Sequence, residues 1–153
     1  MRRFLATCLA AWVCSAAALS AQSSPRAVSA VRLTFQRVDQ VALDFGVDTT
    51  AMRREVIQRL GDAGIAVANT ADLPELVIAV RVPKRLVPMD DGFLIVQMEL
   101  REAATSPTRR TIWNDRSGGT GFTTYGSLRE LVPAQIARGL DALAIAHADA
   151  NTR

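Results

Sequence analysis

The chain has 153 residues, 49% of them hydrophobic and 22% charged, a length and composition that call for one globular domain with a core large enough to fold without staples. Its only cysteines, Cys8 and Cys14, lie near the amino terminus, which excludes a disulfide framework, a thiol nucleophile or a cysteine-metal site from the rest of the chain. The net charge of +3 and pI of about 9.5 owe much to Arg2 and Arg3; without them 16 basic side chains face 15 acidic ones, too even a balance for a nucleic-acid binder.

Met1-Arg2-Arg3 is followed by an apolar run from Phe4 to Leu19, interrupted by Thr7 and Ser15, and then by the small and polar Ser20-Ala21-Gln22-Ser23. Positive start, apolar middle and small-residue exit form the secretory pattern, with cleavage after Ala21 or, almost as well, after Ser20. The run of 16 residues is short of the ~20 that a bilayer core requires, and no basic stop-transfer cluster follows it. Residues 1–21 are therefore read as a signal peptide, and the protein as periplasmic or secreted with no transmembrane span after cleavage. Cys14 lacks the Leu-x-small context of a lipid-attachment site, since Ala11-Trp12-Val13 precede it. Phe4 directly after the arginine pair favours the general secretory route over twin-arginine export.

Residues 22–27 are a polar lead-in, 28–149 the folded domain and 150–153 a tail. Val31, Leu33 and Phe35 alternate with Arg32, Thr34 and Gln36, which predicts a half-buried strand that continues less regularly into a loop over 38–45. A helix follows, with Asp48 as its cap and Val47 and Met52 at the two positions of a hydrophobic staple. Met52, Val56, Ile57 and Leu60 make its apolar stripe, and Gly61 and Gly64 end it. Ile65 to Ala68 is a short strand, and 69–74 a turn.

Leu76 to Val82, Phe93 to Glu102 and Arg110 to Asp115 are the next strands, the last two forming a hairpin about 103–108. Ser127 and Glu130 have the spacing of a capping box for a final helix with a stripe of Leu128, Leu131, Val132, Ile136, Leu140 and Leu143. Pro133 either kinks that helix or marks the start of its regular part, and helix propensity fades after His147. The order β-α-β-β-β-β-α predicts an α+β two-layer sandwich: a mostly antiparallel sheet of about four to six strands, with both helices on one face.

No arrangement of side chains calls for catalysis, a cofactor or a metal. His147 is the only histidine and has alanines and Asp149 as its sequence neighbours, so it is a helix-end residue. Asp90-Asp91-Gly92 opens like a calcium loop but runs straight into strand residues that supply no ligands. Ser117-Gly118-Gly119-Thr120-Gly121 offers amides for an anion, yet lacks the Lys and Ser/Thr of a phosphate loop and reads as a connection. Arg109, Arg110, Trp113 and Arg116 read as a core tryptophan with solvated arginines, not as a nucleic-acid patch.

One feature stands apart. The sheet face opposite the helices carries Val77, Phe93 and Ile95 where a solvent-facing set would be polar, with Ala79 and Ile112 as further members. An apolar patch there marks a contact surface, unless the 83–92 or 117–126 loop folds over it.

From Ala71 onward the chain resembles a group of small exported bacterial proteins of unknown function. The likeness rests on Asp72-Leu73-Pro74-Glu75-Leu76-Val77-Ile78, Val96-Gln97-Met98-Glu99-Leu100-Arg101-Glu102, Thr111-Ile112-Trp113 followed by glycines, and Ser127-Leu128-Arg129-Glu130. In fold it is similar to periplasmic modules such as the TolB amino-terminal domain and the curli-secretion lipoprotein family. That likeness implies a role in envelope assembly or interaction and brings no catalytic residues with it. The expectation is a non-catalytic domain that binds an envelope protein or itself, with a small-ligand-binding domain as the alternative.

Overall fold

The computed structural model describes residues 28–83, 92–115, 119–122 and 124–152. The residues read as a signal peptide lie outside them, as do Asp90, Asp91, Arg116, Ser117 and Gly118. Strand β1 (Ala30–Val38) leads into a short helix α1 (Gln40–Asp44) and then α2 (Thr49–Asp62). Strands β2 (Ala66–Val67), β3 (Glu75–Arg81), β4 (Gly92–Arg101), β5 (Thr111–Asp115) and β6 (Thr120–Phe122) follow, then a single 3-10 turn (Tyr125–Ser127) and α3 (Leu128–Asn151).

The strands form one sheet in the order β2-β1-β3-β4-β5, with β6 also on β4. Strand β1 is parallel to both β2 and β3, while β4 is antiparallel to β3, β5 and β6. The sheet is thus mixed, because α2 carries the chain back to the starting edge of β1 and the next strand must leave in the same direction. Leu33 stands beside Leu76, Leu76 beside Leu100, Ile78 beside Met98 and Val80 beside Val96. These residues share one face, and all are buried in the same core as Met52, Val56 and Leu60 of α2 and Leu128, Val132, Ile136, Leu140 and Leu143 of α3. Both long helices therefore cover that face, as the apolar periodicity predicts.

Local chemistry explains both ends of α2. The Asp48 carboxylate accepts hydrogen bonds from the Thr50 and Ala51 amides at 2.8 and 3.1 Å, the expected cap of α2. The helix stops where Gly64 takes a positive φ of 77°. Ile57, expected on the buried stripe, is 42% exposed, and the face is carried by Met52, Val56 and Leu60 alone.

Other local expectations fail. Residues 40–44 form α1, not a loop, and its fully buried Ala42 joins the core. Ser127 is not a capping residue: its backbone is helical and its hydroxyl donates to the Thr124 carbonyl at 2.6 Å, closing the 3-10 turn. Helix α3 does not wait for Pro133 to begin: it starts at Leu128, takes Pro133 into its interior and runs past His147 to Asn151.

The glycine stretch was expected to be a connection, yet Thr120–Phe122 is strand β6. It lies on the same side of β4 as β5: Asp115 stands opposite Met98 and Thr120 opposite Leu94. Both β5 and β6 thus pair antiparallel with β4, β5 along Met98–Arg101 and β6 along Gly92–Leu94.

Candidate interaction surface

Alternation in β3 and β4 decides what the second sheet face carries. With Leu76, Ile78 and Val80 turned to the helices, Glu75, Val77, Ala79 and Arg81 turn away. On β4 the corresponding set is Phe93, Ile95, Gln97, Glu99 and Arg101. Register places Thr34 and Glu99 on either side of Val77, Gln97 beside Ala79, and Ile95 beside Arg81.

The three apolar residues share this face but not one environment. Val77 is buried, 4% exposed, and stands outside the main core cluster. Its neighbours on the face are polar or small. Ile95 is half-buried and lies two rows further along, roughly 13 Å away at the usual strand rise, with Ala79 and Gln97 between. Phe93 is 39% exposed, and its ring lies against the backbone of Gly119, where a side chain would collide with it. The Phe122 ring covers Gly92 in the same manner. The Phe122 ring thus shields a glycine of β4 and the Phe93 ring the glycine that precedes β6, and together they pin the β4–β6 register.

Charged side chains frame these residues. The Arg32 guanidinium (Nη2) meets Glu75 Oε1 at 2.8 Å, and the Thr34 hydroxyl donates to the same oxygen at 2.7 Å. The Thr34 bond, aided by Arg32 and by the charge of Arg109, holds the Glu75 carboxyl below its ordinary range against the opposing effect of burial. Arg101 donates through Nε and Nη2 to Glu99 Oε2 at 2.9 and 2.7 Å. Arg32 Nε is buried and has no hydrogen-bond partner among the described residues. Among the described residues the helices leave this face to its own side chains, so it is a charged rim around Val77 with an apolar end at Ile95 and Phe93.

The other residues singled out in the sequence are scattered. The His147 ring (Nε2) stands 3.1 Å from Asn151 Nδ2 on the outer part of α3. Trp113 is half-buried against the core beside Leu100. Arg109 adopts a φ of 42° in the hairpin loop. The groove between α2 and α3, lined by Met52, Val56, Ile136 and Leu140 among others, has no space for a water molecule. No group of three potential metal ligands occurs among the described residues.

Two carboxylates with structural tasks escaped the sequence reading. Asp39 accepts from Arg37 Nε at 2.6 Å and from the Val82 amide at 2.9 Å, tying the end of β1 to the end of β3. Burial opposes its ionisation, but those two bonds and the charges of Arg37 and Arg81 prevail and lower its pKa. Glu102 Oε2 accepts from the Ser106 and Thr108 hydroxyls, both at 2.7 Å, and from the Arg110 amide at 3.2 Å. With Thr108 contributing most, these bonds push its pKa down to about 2. The readable signal was a carboxylate at the mouth of a hairpin loop rich in Ser and Thr. Aromatic contact was missed as well: Phe45, 44% exposed, stacks on Tyr125 with ring centroids 5.0 Å apart.

No protein-family profile and no curated protein matches this chain. Among solved structures it is similar to a PelC dodecamer from Paraburkholderia phytofirmans, with 17% identity, a TM-score of 0.43, and coverage of 75% of this chain and 86% of that one. A minor lipoprotein from Acinetobacter baumannii shows 12% identity and a TM-score of 0.37 over 82% of this chain and 94% of its own. An uncharacterised lipoprotein B from Nitrosomonas europaea shows 13% identity and a TM-score of 0.34 over 83% and 85%. TolB is not among these three. No helix among the described residues is long and apolar enough to cross a membrane.

Proposed function

We propose that this is an exported, non-catalytic domain that docks an envelope protein or a second copy of itself through the sheet face opposite the helices. The observation that carries this reading is Ile95 and the 39%-exposed Phe93 on a face that no described helix covers. Burying each such side chain fully is worth ~1.5–3 kcal/mol, so a partner that covers them gains what folding alone leaves unused. Arg32, Arg81 and Arg101 border the same face and supply orientation and selectivity. The tripartite amino-terminal segment supports the export part of the proposal. The small-ligand alternative has less behind it, since the α2–α3 groove is filled and the described part of the glycine stretch belongs largely to β6.

Ile95→Asp is the informative variant, because Phe93 has a packing task against Gly119 that Ile95 lacks. The variant should keep a melting temperature within a few degrees of the parent. It should also lose the crosslinked envelope partner, or the self-associated species seen by light scattering. A folded Ile95→Asp protein with unchanged crosslinks and unchanged mass in solution would remove this face from consideration.

A further inference from the structure

The hairpin between β4 and β5 has a feature that docking through the sheet does not use. Its loop reads Ala103-Ala104-Thr105-Ser106-Pro107-Thr108, six residues with no charge and no bulky side chain, placed between Glu102 and Arg109. Small residues mixed with Ser, Thr and Pro are the composition of segments that carry O-linked sugars, since such a loop has nothing to bury and leaves its hydroxyls accessible.

Hydrogen bonding then separates the three hydroxyls. Ser106 and Thr108 both donate to Glu102 Oε2 and are committed to holding the hairpin together. Thr105 is exposed, and its hydroxyl makes no hydrogen bond with the described residues. The Ser106 amide bonds back to the Ala103 carbonyl at 2.9 Å, so Thr105 sits at the third position of a tight turn, at the hairpin tip. The Glu102 amide bonds to the Arg110 carbonyl at 2.8 Å and closes the loop below it. The result is one free hydroxyl held out on a braced loop.

We propose that Thr105 is a site of O-glycosylation, a proposal that rests on the export reading above. In this step Thr105 Oγ1 attacks the anomeric carbon of a sugar activated by a diphosphate group. The new carbon–oxygen bond replaces the anomeric bond to the diphosphate, which departs with its carrier, and the hydroxyl proton passes to a base of the transferase. The position is compatible with docking. Phe93 lies at the far end of β4 from Arg101, roughly 26 Å away at the usual strand rise, so a glycan on the hairpin tip leaves the apolar end of the sheet face free.

Trypsin should release residues 102–109 as one peptide from protein purified out of the native host. Mass spectrometry of that peptide is expected to show an added mass of one or more sugar units. The addition should vanish in Thr105→Ala and persist in Ser106→Ala and in Thr108→Ala. A peptide found only unmodified overturns the proposal, as does a sugar that survives Thr105→Ala or disappears only with Ser106 or Thr108. The amino terminus read in the same digest separates the two ideas. A chain beginning at Ala21 or Gln22 with a bare loop refutes the glycan alone, whereas an intact Met1 refutes export and the glycan together.

Discussion

Glu102 shows how one side chain can organise a loop that hydrophobic patterning does not reach. Its single oxygen Oε2 collects two hydroxyls and an amide, all from within eight residues of the same hairpin. Every one of these donors favours the charged carboxylate, so the folded pKa of about 2 lies below the ordinary value of 4.5. A group whose folded pKa is depressed stabilises the fold above its unfolded pKa and loses that contribution as pH falls through the folded one. The hairpin should therefore hold unchanged above pH ~4.5 and loosen between there and pH ~2. NMR titration of the Arg110 amide should show this as a shift with its midpoint near the low end, absent in Glu102→Gln. An Arg110 signal that stays flat down to pH ~2 in the parent protein would mean that the carboxylate does not hold the loop.

At the level of elements, α3 carries the clearest expectation. Leu140 is 3% exposed and lies on the stripe that packs α3 against α2 and the sheet. Leu140→Ala should cost roughly 2–5 kcal/mol, the range for a large-to-small change in a packed core. A denaturant melt showing a loss below about 0.5 kcal/mol would mean that α3 is not docked by this stripe. The two long helices and strands β1 and β4 were legible from their apolar periods, and β3 from a short β-branched apolar run bounded by prolines. What escaped depends on partners distant in sequence. Strand β6 is three residues long and exists only because β4 offers it an edge, and the Phe122–Gly92 contact behind it has no local signature. Ser127 and Glu130 have the spacing of a capping box, but the 3-10 turn before α3 claims the hydroxyl. Of the candidate surface, the residue set was readable by alternation. That Val77 is buried while Phe93 rests on Gly119 and stays 39% exposed was not, because neither has a signal in the local sequence.

For the whole molecule, the decisive fact is that a single core receives residues from every long element. Val31 and Leu33 of β1, Met52, Val56 and Leu60 of α2, Ile78 of β3, Met98 of β4 and Leu128 to Leu143 of α3 belong to one cluster. The sheet also crosses the chain order, since β1 pairs with β3 while α1, α2 and β2 lie between them in sequence. No cut through the described chain separates two parts that could each keep a core, and small domains built in this way unfold as a unit. Two optical probes can test this because they report different regions. Trp113, the one tryptophan outside the amino-terminal segment, sits on the edge strand β5 and leans on the core, whereas far-UV circular dichroism is dominated by α2 and α3. In guanidinium the tryptophan fluorescence and the circular dichroism of the domain should change with the same midpoint and the same slope. Loss of the Trp113 signal at clearly lower denaturant, with the helical signal intact, would show that β4–β6 opens as a separate unit. In that event the sheet face carrying Ile95 and Phe93 would not be a rigid surface on which a partner can dock.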